Sequence, residues 1–149
     1  MNLSLNPSAA EGYHSQTQSA RVLTESWVRD NLFCPRCGNR HIEKFPNNQP
    51  VADFFCPNCG EQYELKSRKG NLTSKITDGA YHTMIERITS NENTDFLFLG
   101  YDLSAMQVVD LMVIPKYFFV PEIIEKRKPL GPNARRAGWI GCNILLEQI

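Results

Sequence analysis

Two kinds of residue in this chain stand at spacings that chemistry can use. The first is cysteine. Cys34-Pro-Arg-Cys37 and Cys56-Pro-Asn-Cys59 form two Cys-x-x-Cys knuckles with eighteen residues (38–55) between them. This spacing lies within the range of a four-thiolate zinc site. Gly38 and Gly60 follow the knuckles and suit a tight turn that aims two sulfurs at one ion. Four thiolates complete the zinc tetrahedron and leave no position for water, so the ion expected at Cys34, Cys37, Cys56 and Cys59 is structural rather than catalytic. The second kind is the carboxylate and amine set Asp53 … Glu64-Leu65-Lys66. Residues two apart on a strand share a face, so Glu64 and Lys66 would point one way and Leu65 the other, into a core. If Asp53 ends the preceding strand of a hairpin, it can approach one metal ion together with Glu64.

Two carboxylates supply the oxygen ligands that Mg²⁺ takes while keeping several waters of its own. The ion then polarises a phosphodiester and lowers the pKa of a bound water. An ammonium group beside it stabilises charge that develops on the phosphate. The bare pattern is weak, because acidic and basic residues alternate on many solvated strands. Phe54-Phe55 and Leu65 argue instead for a partly buried ribbon, where charges are costly unless paired or metal-bound.

The elements that must position these groups follow from periodicity. Residues 1–13 read as an irregular arm interrupted by Pro7 and Gly12. Ser15 is a candidate N-cap for a helix to about Asn31, with Ala20, Leu23 and Trp27 on its apolar face. Glu25 on that helix could add a metal ligand but reads first as a solvated position, and His41 reads as a surface histidine outside the cysteine set. Prolines and glycines, including Pro50, mark turns through 33–60. Tyr63–Ser67 is an expected strand, followed by a polar loop from Arg68 to Lys75. A second helix is expected from about Thr77, with Tyr81, Met84, Ile85 and Ile88 on its inner face. Asp95–Tyr101 and Gln107–Pro115 are expected strands, the second apolar enough for a central position. Pro121–Arg127 reads as a short helix, Pro129–Gly138 as a basic loop, and Trp139–Leu146 as a last strand in which Cys142 is a buried small hydrophobe. The fold class is α/β: a mixed central sheet flanked by helices, with an inserted four-cysteine zinc knuckle at about 33–60.

With 149 residues, zero formal net charge and 42% hydrophobic residues, the chain has the size and composition of an ordinary globular domain. That excludes an overall polycation, a collagen-like repeat and a long disordered tail. Its apolar runs are too short to cross a bilayer, and its first residues lack the pattern of a secretory signal. The expectation is a soluble, cytoplasmic protein with no membrane partner. Basic residues are nevertheless concentrated: six lie between Lys116 and Arg136 against two acidic ones, and Lys66, Arg68, Lys69 and Lys75 form a second group. Local patches of this kind can hold polyanions.

Several longer stretches carry a resemblance. RVLTESWV, CPRCGN, NNQPVADFFCPNCGEQYELKSRKGN, DGAYHTMIERI and KPLGPNARRAGWIGCNI are similar to the DpnI-type restriction endonucleases and the related Dam-replacing family, within the PD-(D/E)xK nuclease superfamily. The resemblance implies that Asp53, Glu64 and Lys66 are catalytic, that Asp53 and Glu64 bind Mg²⁺, and that the four cysteines hold structural zinc. It implies a type II-like restriction enzyme hydrolysing double-stranded DNA at GATC sites methylated on adenine. Residues 1–149 then read as a single nuclease domain that departs from the family in lacking its C-terminal winged-helix domain, as either a fragment or a shorter relative would.

Within that reading, the loop 129–139 combines glycines with Arg135, Arg136 and Trp139, and Lys69 adds a second cation. Arginine reads guanine edges or holds phosphates, and a tryptophan offers a flat apolar surface to methyl groups. Equally, Trp139 could pack in the core and leave the arginines as surface charges. The alternative function is a non-catalytic zinc-ribbon module binding DNA or a protein. An HNH-type nuclease would need a histidine near the knuckles, where only His41 is available. A zinc deaminase would need an open zinc position, which four cysteines disfavour.

Overall fold

The computed structural model describes residues 1–47 and 52–149. Pro50 and Val51, with the turn expected at Pro50, lie outside the described residues. The chain forms two compact units: Met1–Leu72 with Thr94–Ile114, and Thr73–Asn93 with Pro115–Ile149.

The first unit begins with an arm that is more ordered than its proline and glycine suggest. Leu5 is buried, Pro7–Ala10 form a 3-10 turn, and Val108 N–H donates to Leu3 O at 2.8 Å. Helix α1 (Gln16–Asn31) follows, with Ser15 as N-cap through a long 3.5 Å bond from Gln18 N–H. Such a cap contributes about 1 kcal/mol at full strength. Its buried stripe is Ala20, Leu23, Thr24, Trp27 and Val28, and Trp27 Nε1 donates to Asn2 O at 2.8 Å.

The unit's sheet is five-stranded and mixed, in the order β1 (Glu43–Lys44), β2 (Phe54–Phe55), β3 (Gln62–Lys69), β5 (Asp95–Asp102), β6 (Gln107–Ile114). Strand β3 is antiparallel to β2 and parallel to β5. A parallel neighbour demands a long crossover, and here the intervening residues 73–93 belong to the second unit. Leu65 stands opposite Leu97 and Tyr63 opposite Asp95. Tyr63, Leu97 and Leu99 join Leu23, Trp27, Val28, Ile42 and Phe54 in one buried cluster, with Leu65 packed against it. By alternation, Glu64 and Lys66 lie on the other face, opposite the wholly buried Phe96 and Phe98.

The second unit is a three-stranded antiparallel sheet, β4 (Lys75–Ala80), β8 (Gly141–Leu145) and β7 (Ile124–Lys126), with helix α2 (Tyr81–Thr89). Ile76, Met84, Ile88, Ile123, Ile124, Cys142 and Ile144 are its buried residues of note. Among the described residues, no helix is long and apolar enough to cross a membrane.

Several elements differ from the sequence-based expectation. The mixed sheet is present, but β4, β7 and β8 form a separate sheet instead of extending it. The second helix starts at Tyr81, because residues from Lys75 pair with β8: Ile76 with Ile144 and Thr77 with Asn143. Strand β3 runs on to Lys69, which shortens the expected loop. The fully covered interior strand is instead β5, buried from Asp95 to Gly100. Strand β6 is an edge, with Val109 and Met112 exposed, an edge position that Asp110 tolerates. Pro121–Ile123 form only a 3-10 turn before β7, since the β-branched pair Ile123-Ile124 favours extension.

Candidate functional site

The two knuckles fold alike. Cys34 N–H donates to Asn39 O and Gly38 N–H to Cys34 O; Cys56 N–H donates to Glu61 O and Gly60 N–H to Cys56 O, all between 2.7 and 2.9 Å. Gly38 and Gly60 both have φ of 76°, a left-handed conformation that glycine adopts without steric cost. Arg36 in the first knuckle is ion-paired with the buried Glu61 after the second. The result brings four sulfurs together within 4.8 Å of one another. Cys34 Sγ lies 3.7 Å from Cys59 Sγ, and Cys37 Sγ lies 3.6 Å from Cys56 Sγ. A zinc tetrahedron with bonds of about 2.3 Å has sulfur–sulfur edges of roughly 3.8 Å. The cluster fits that ion in donor type, number and spacing. The Asn58 side-chain amide, 3.5 Å from Cys37 Sγ, is the main cause holding the Cys37 thiol down to about 6, with help from the Asn39 N–H. That favours the thiolate a metal requires. His41 is exposed and outside the set, as expected of a surface histidine.

The carboxylates sit one element away. Asp53 stands just before β2 rather than at the end of a strand, because regular pairing starts at Phe54. Its N–H donates to Tyr63 O at 3.1 Å, its O accepts from Phe45 N–H, and its Oδ2 accepts the Leu65 N–H at 2.8 Å. That last bond places the carboxylate against the backbone between Glu64 and Lys66. Lys66 Nζ lies 2.7 Å from Glu64 Oε1, and both side chains are largely covered. Burial, first of all, pushes the Asp53 carboxyl above its ordinary range. The Leu65 N–H opposes this, the Glu64 charge adds to it, Lys66 opposes it, and Glu25 adds to it. Burial and the nearby Glu64 and Glu25 charges thus make the ionised form of Asp53 costly, and a cation beside it would relieve that cost. Hard oxygen donors at a partly covered site are the set a magnesium ion takes. The chemistry of these side chains fits that ion.

Glu25, a possible metal ligand by residue type, departs from the solvated position that the helical period favours. It is not on a solvated helix face: its side chain is 13% exposed and held by Lys44 Nζ at 2.8 Å and Arg21 Nη1 at 3.3 Å. Arg21, Glu25, Lys44, Phe45, Ala52 and Asp53 line a cleft of about 390 Å³. Only the arrival of β1 beside α1 exposes this role, and no local signal in the sequence carries it. A second cleft of about 310 Å³ is lined by Arg21, Lys69, Ser67, Thr17, Tyr101 and Ser104. Lys69 thus stands among hydroxyl groups and a second cation.

In the second unit, the loop 129–139 is closed by Leu130 N–H to Trp139 O and Gly138 N–H to Leu130 O, both 2.9 Å. Arg136 places its guanidinium 4.6 Å from the centre of the Trp139 ring. Arg135 and Arg136 are exposed, and Trp139 is half-buried. The indole lies so near the Gly141 backbone that a Cβ there would come within 2.8 Å of it. The structure brings Arg136 and Trp139 together; Lys69 belongs to the other unit. Cys142 is wholly buried in β8, as its sequence context indicates.

A sequence model of DpnI, the Dam-replacing family, matches residues 1–149. The chain therefore belongs to the Dam-replacing family, which points to a restriction-type endonuclease acting on methylated DNA.

Proposed function

We propose that the protein is a Mg²⁺-dependent endodeoxyribonuclease of the PD-(D/E)xK kind, cutting double-stranded DNA at adenine-methylated GATC. The reading treats residues 1–149 as one nuclease domain in which the zinc knuckles are an insertion. The observation that carries it is the bond from Leu65 N–H to Asp53 Oδ2, which joins Asp53 to the Glu64–Lys66 pair. Asp53 and Glu64 would hold the ion. When bound, Mg²⁺ supplies Lewis-acid polarisation of the phosphate and a water of lowered pKa. Lys66, already anchored on Glu64, presents an ammonium group to the attacking water and to charge building on phosphorus. Arg21 and Lys69, with the hydroxyls around them, suit contacts to flanking backbone phosphates.

Arg135, Arg136 and Trp139 are the proposed readers of the methylated site. Burying one methyl is worth roughly 0.8 kcal/mol, so the two methyls of a fully methylated palindrome give about 1.6 kcal/mol, or roughly fifteen-fold. A stronger preference requires penalties on the unmethylated site, such as polar groups left unpaired.

The test is incubation of wild type, Asp53→Ala and Trp139→Ala with adenine-methylated and unmethylated plasmid, in Mg²⁺ or EDTA. Cutting is expected only for methylated plasmid with Mg²⁺. Asp53→Ala should lose about a thousandfold or more in rate. Trp139→Ala should narrow the methylated-to-unmethylated ratio. Metal-independent nicking, or equal nicking by Asp53→Ala, would refute the mechanism; an unchanged ratio would remove Trp139 from the readout.

A further inference from the structure

Tyr63 touches both centres with different atoms. Its side chain is wholly buried, and its hydroxyl oxygen lies 3.0 Å from Cys34 Sγ. Its carbonyl oxygen accepts the Asp53 N–H at 3.1 Å. The next residue is Glu64, and the one after, Leu65, donates its N–H to Asp53 Oδ2. The path from a sulfur of the cysteine cluster to both acids is thus one side chain and its own peptide groups.

The hydroxyl is the informative part. A buried phenol costs stability unless it is hydrogen-bonded, and phenylalanine would fill the same volume at no such cost. A metal-bound thiolate has no proton to give, so the phenol must be the donor. Hydrogen bonds onto ligand atoms fix their orientation and tune the metal. We infer that Tyr63 is a positioning residue coupling the two centres: its hydroxyl donates to the Cys34 sulfur while its main chain holds Asp53 in register with Glu64. The inference rests on the nuclease reading only for the role of the two acids.

Two measurements test it, and neither involves DNA, so their failure is distinct from failure of the nuclease reading. In the first, zinc-stripped wild type and Tyr63→Phe are titrated with Co²⁺ and then with Zn²⁺ against a chromogenic chelator. The sulfur-to-cobalt charge-transfer bands are expected to shift in Tyr63→Phe, and its zinc affinity to fall about 10- to 100-fold. Superimposable bands with affinities within twofold would overturn the hydroxyl's part. In the second, amide hydrogen exchange is followed in zinc-loaded wild type and zinc-loaded Tyr63→Phe, with zinc content verified in both. Protection of the Asp53 amide should fall at least tenfold in Tyr63→Phe. Equal protection at Asp53 would overturn the coupling.

Discussion

The sulfur cluster and the carboxylate cluster lie in the same unit, yet they are built on opposite principles. Each half of the sulfur cluster is encoded in one short segment: two cysteines three apart and a glycine with φ of 76°. It would use all its ligands on one ion and leave nothing for a substrate. The carboxylate cluster has almost no local code. Asp53 comes from the approach to β2, Glu64 and Lys66 from β3, and Glu25 from α1. Its Glu25 and Asp53 border an open cleft, and Glu25 and Glu64 are held by cations that belong to the protein. A closed site can be judged by the geometry of its ligands. An open one has to be judged by what its charges still need.

Four outcomes would sharpen or break this contrast. The largest effect is expected from zinc loss: chelation, or Cys34→Ser, should unfold residues 33–60, because structural zinc contributes on the order of 10 kcal/mol to small folds. Unaltered circular dichroism after verified zinc removal would make the cluster dispensable. Removing Mg²⁺ should stop cutting and leave the spectrum alone. Next, Lys66→Met should lower the single-turnover cleavage rate by about a hundredfold or more while retaining zinc stoichiometry. A rate close to wild type would reduce Lys66 to a partner of Glu64. Third, Glu25→Gln should cost less, about tenfold in Mn²⁺ affinity measured by calorimetry. No change would leave Glu25 as a salt-bridge residue for Arg21 and Lys44 alone.

The smallest effect concerns pH. Asp53 has a raised carboxyl pKa, so its contribution to stability is full below the ordinary aspartate range and is lost as pH rises through the folded value. In the zinc-loaded protein without added Mg²⁺, Asp53→Asn keeps an oxygen to accept the Leu65 N–H and removes the charge. Its melting temperature should therefore gain on wild type as pH rises above about 4, the ordinary aspartate range. A difference that stays constant with pH would show that the carboxylate is not strained without Mg²⁺.

The parts legible in the sequence are those whose geometry is local. The cysteine spacing named all four sulfurs, and the strand period put Glu64 and Lys66 on one face with Leu65 on the other. Ser15 and the Ala20, Leu23, Trp27 stripe located α1 because cap and period agree. What was not legible depends on partners. Lys75–Ala80 could be read as the approach to a helix until β8 arrives to pair with it. The apolar run of β6 says nothing of what lies beyond it, and among the described residues that is only the arm, through the bridge of Ser4 to Gln107. Glu25 has a polar residue's appearance on a helix, and only Lys44 and Asp53, brought by other elements, give it a task.

The close approach of Gly100 to residue 70 has its own consequence. A Cβ at position 100 would lie 2.3 Å from Gly70 O, and Gly70 N–H donates to Tyr101 O at 2.8 Å. The ribbon bearing the acids is thus clamped where it leaves the sheet, just as Tyr63 anchors it where it enters. It behaves as a beam fixed at both supports, with Glu64 and Lys66 at mid-span. Even alanine at position 100 would push on the far support, so a substitution on a neighbouring strand would disturb the placing of Glu64 and Lys66 without touching either.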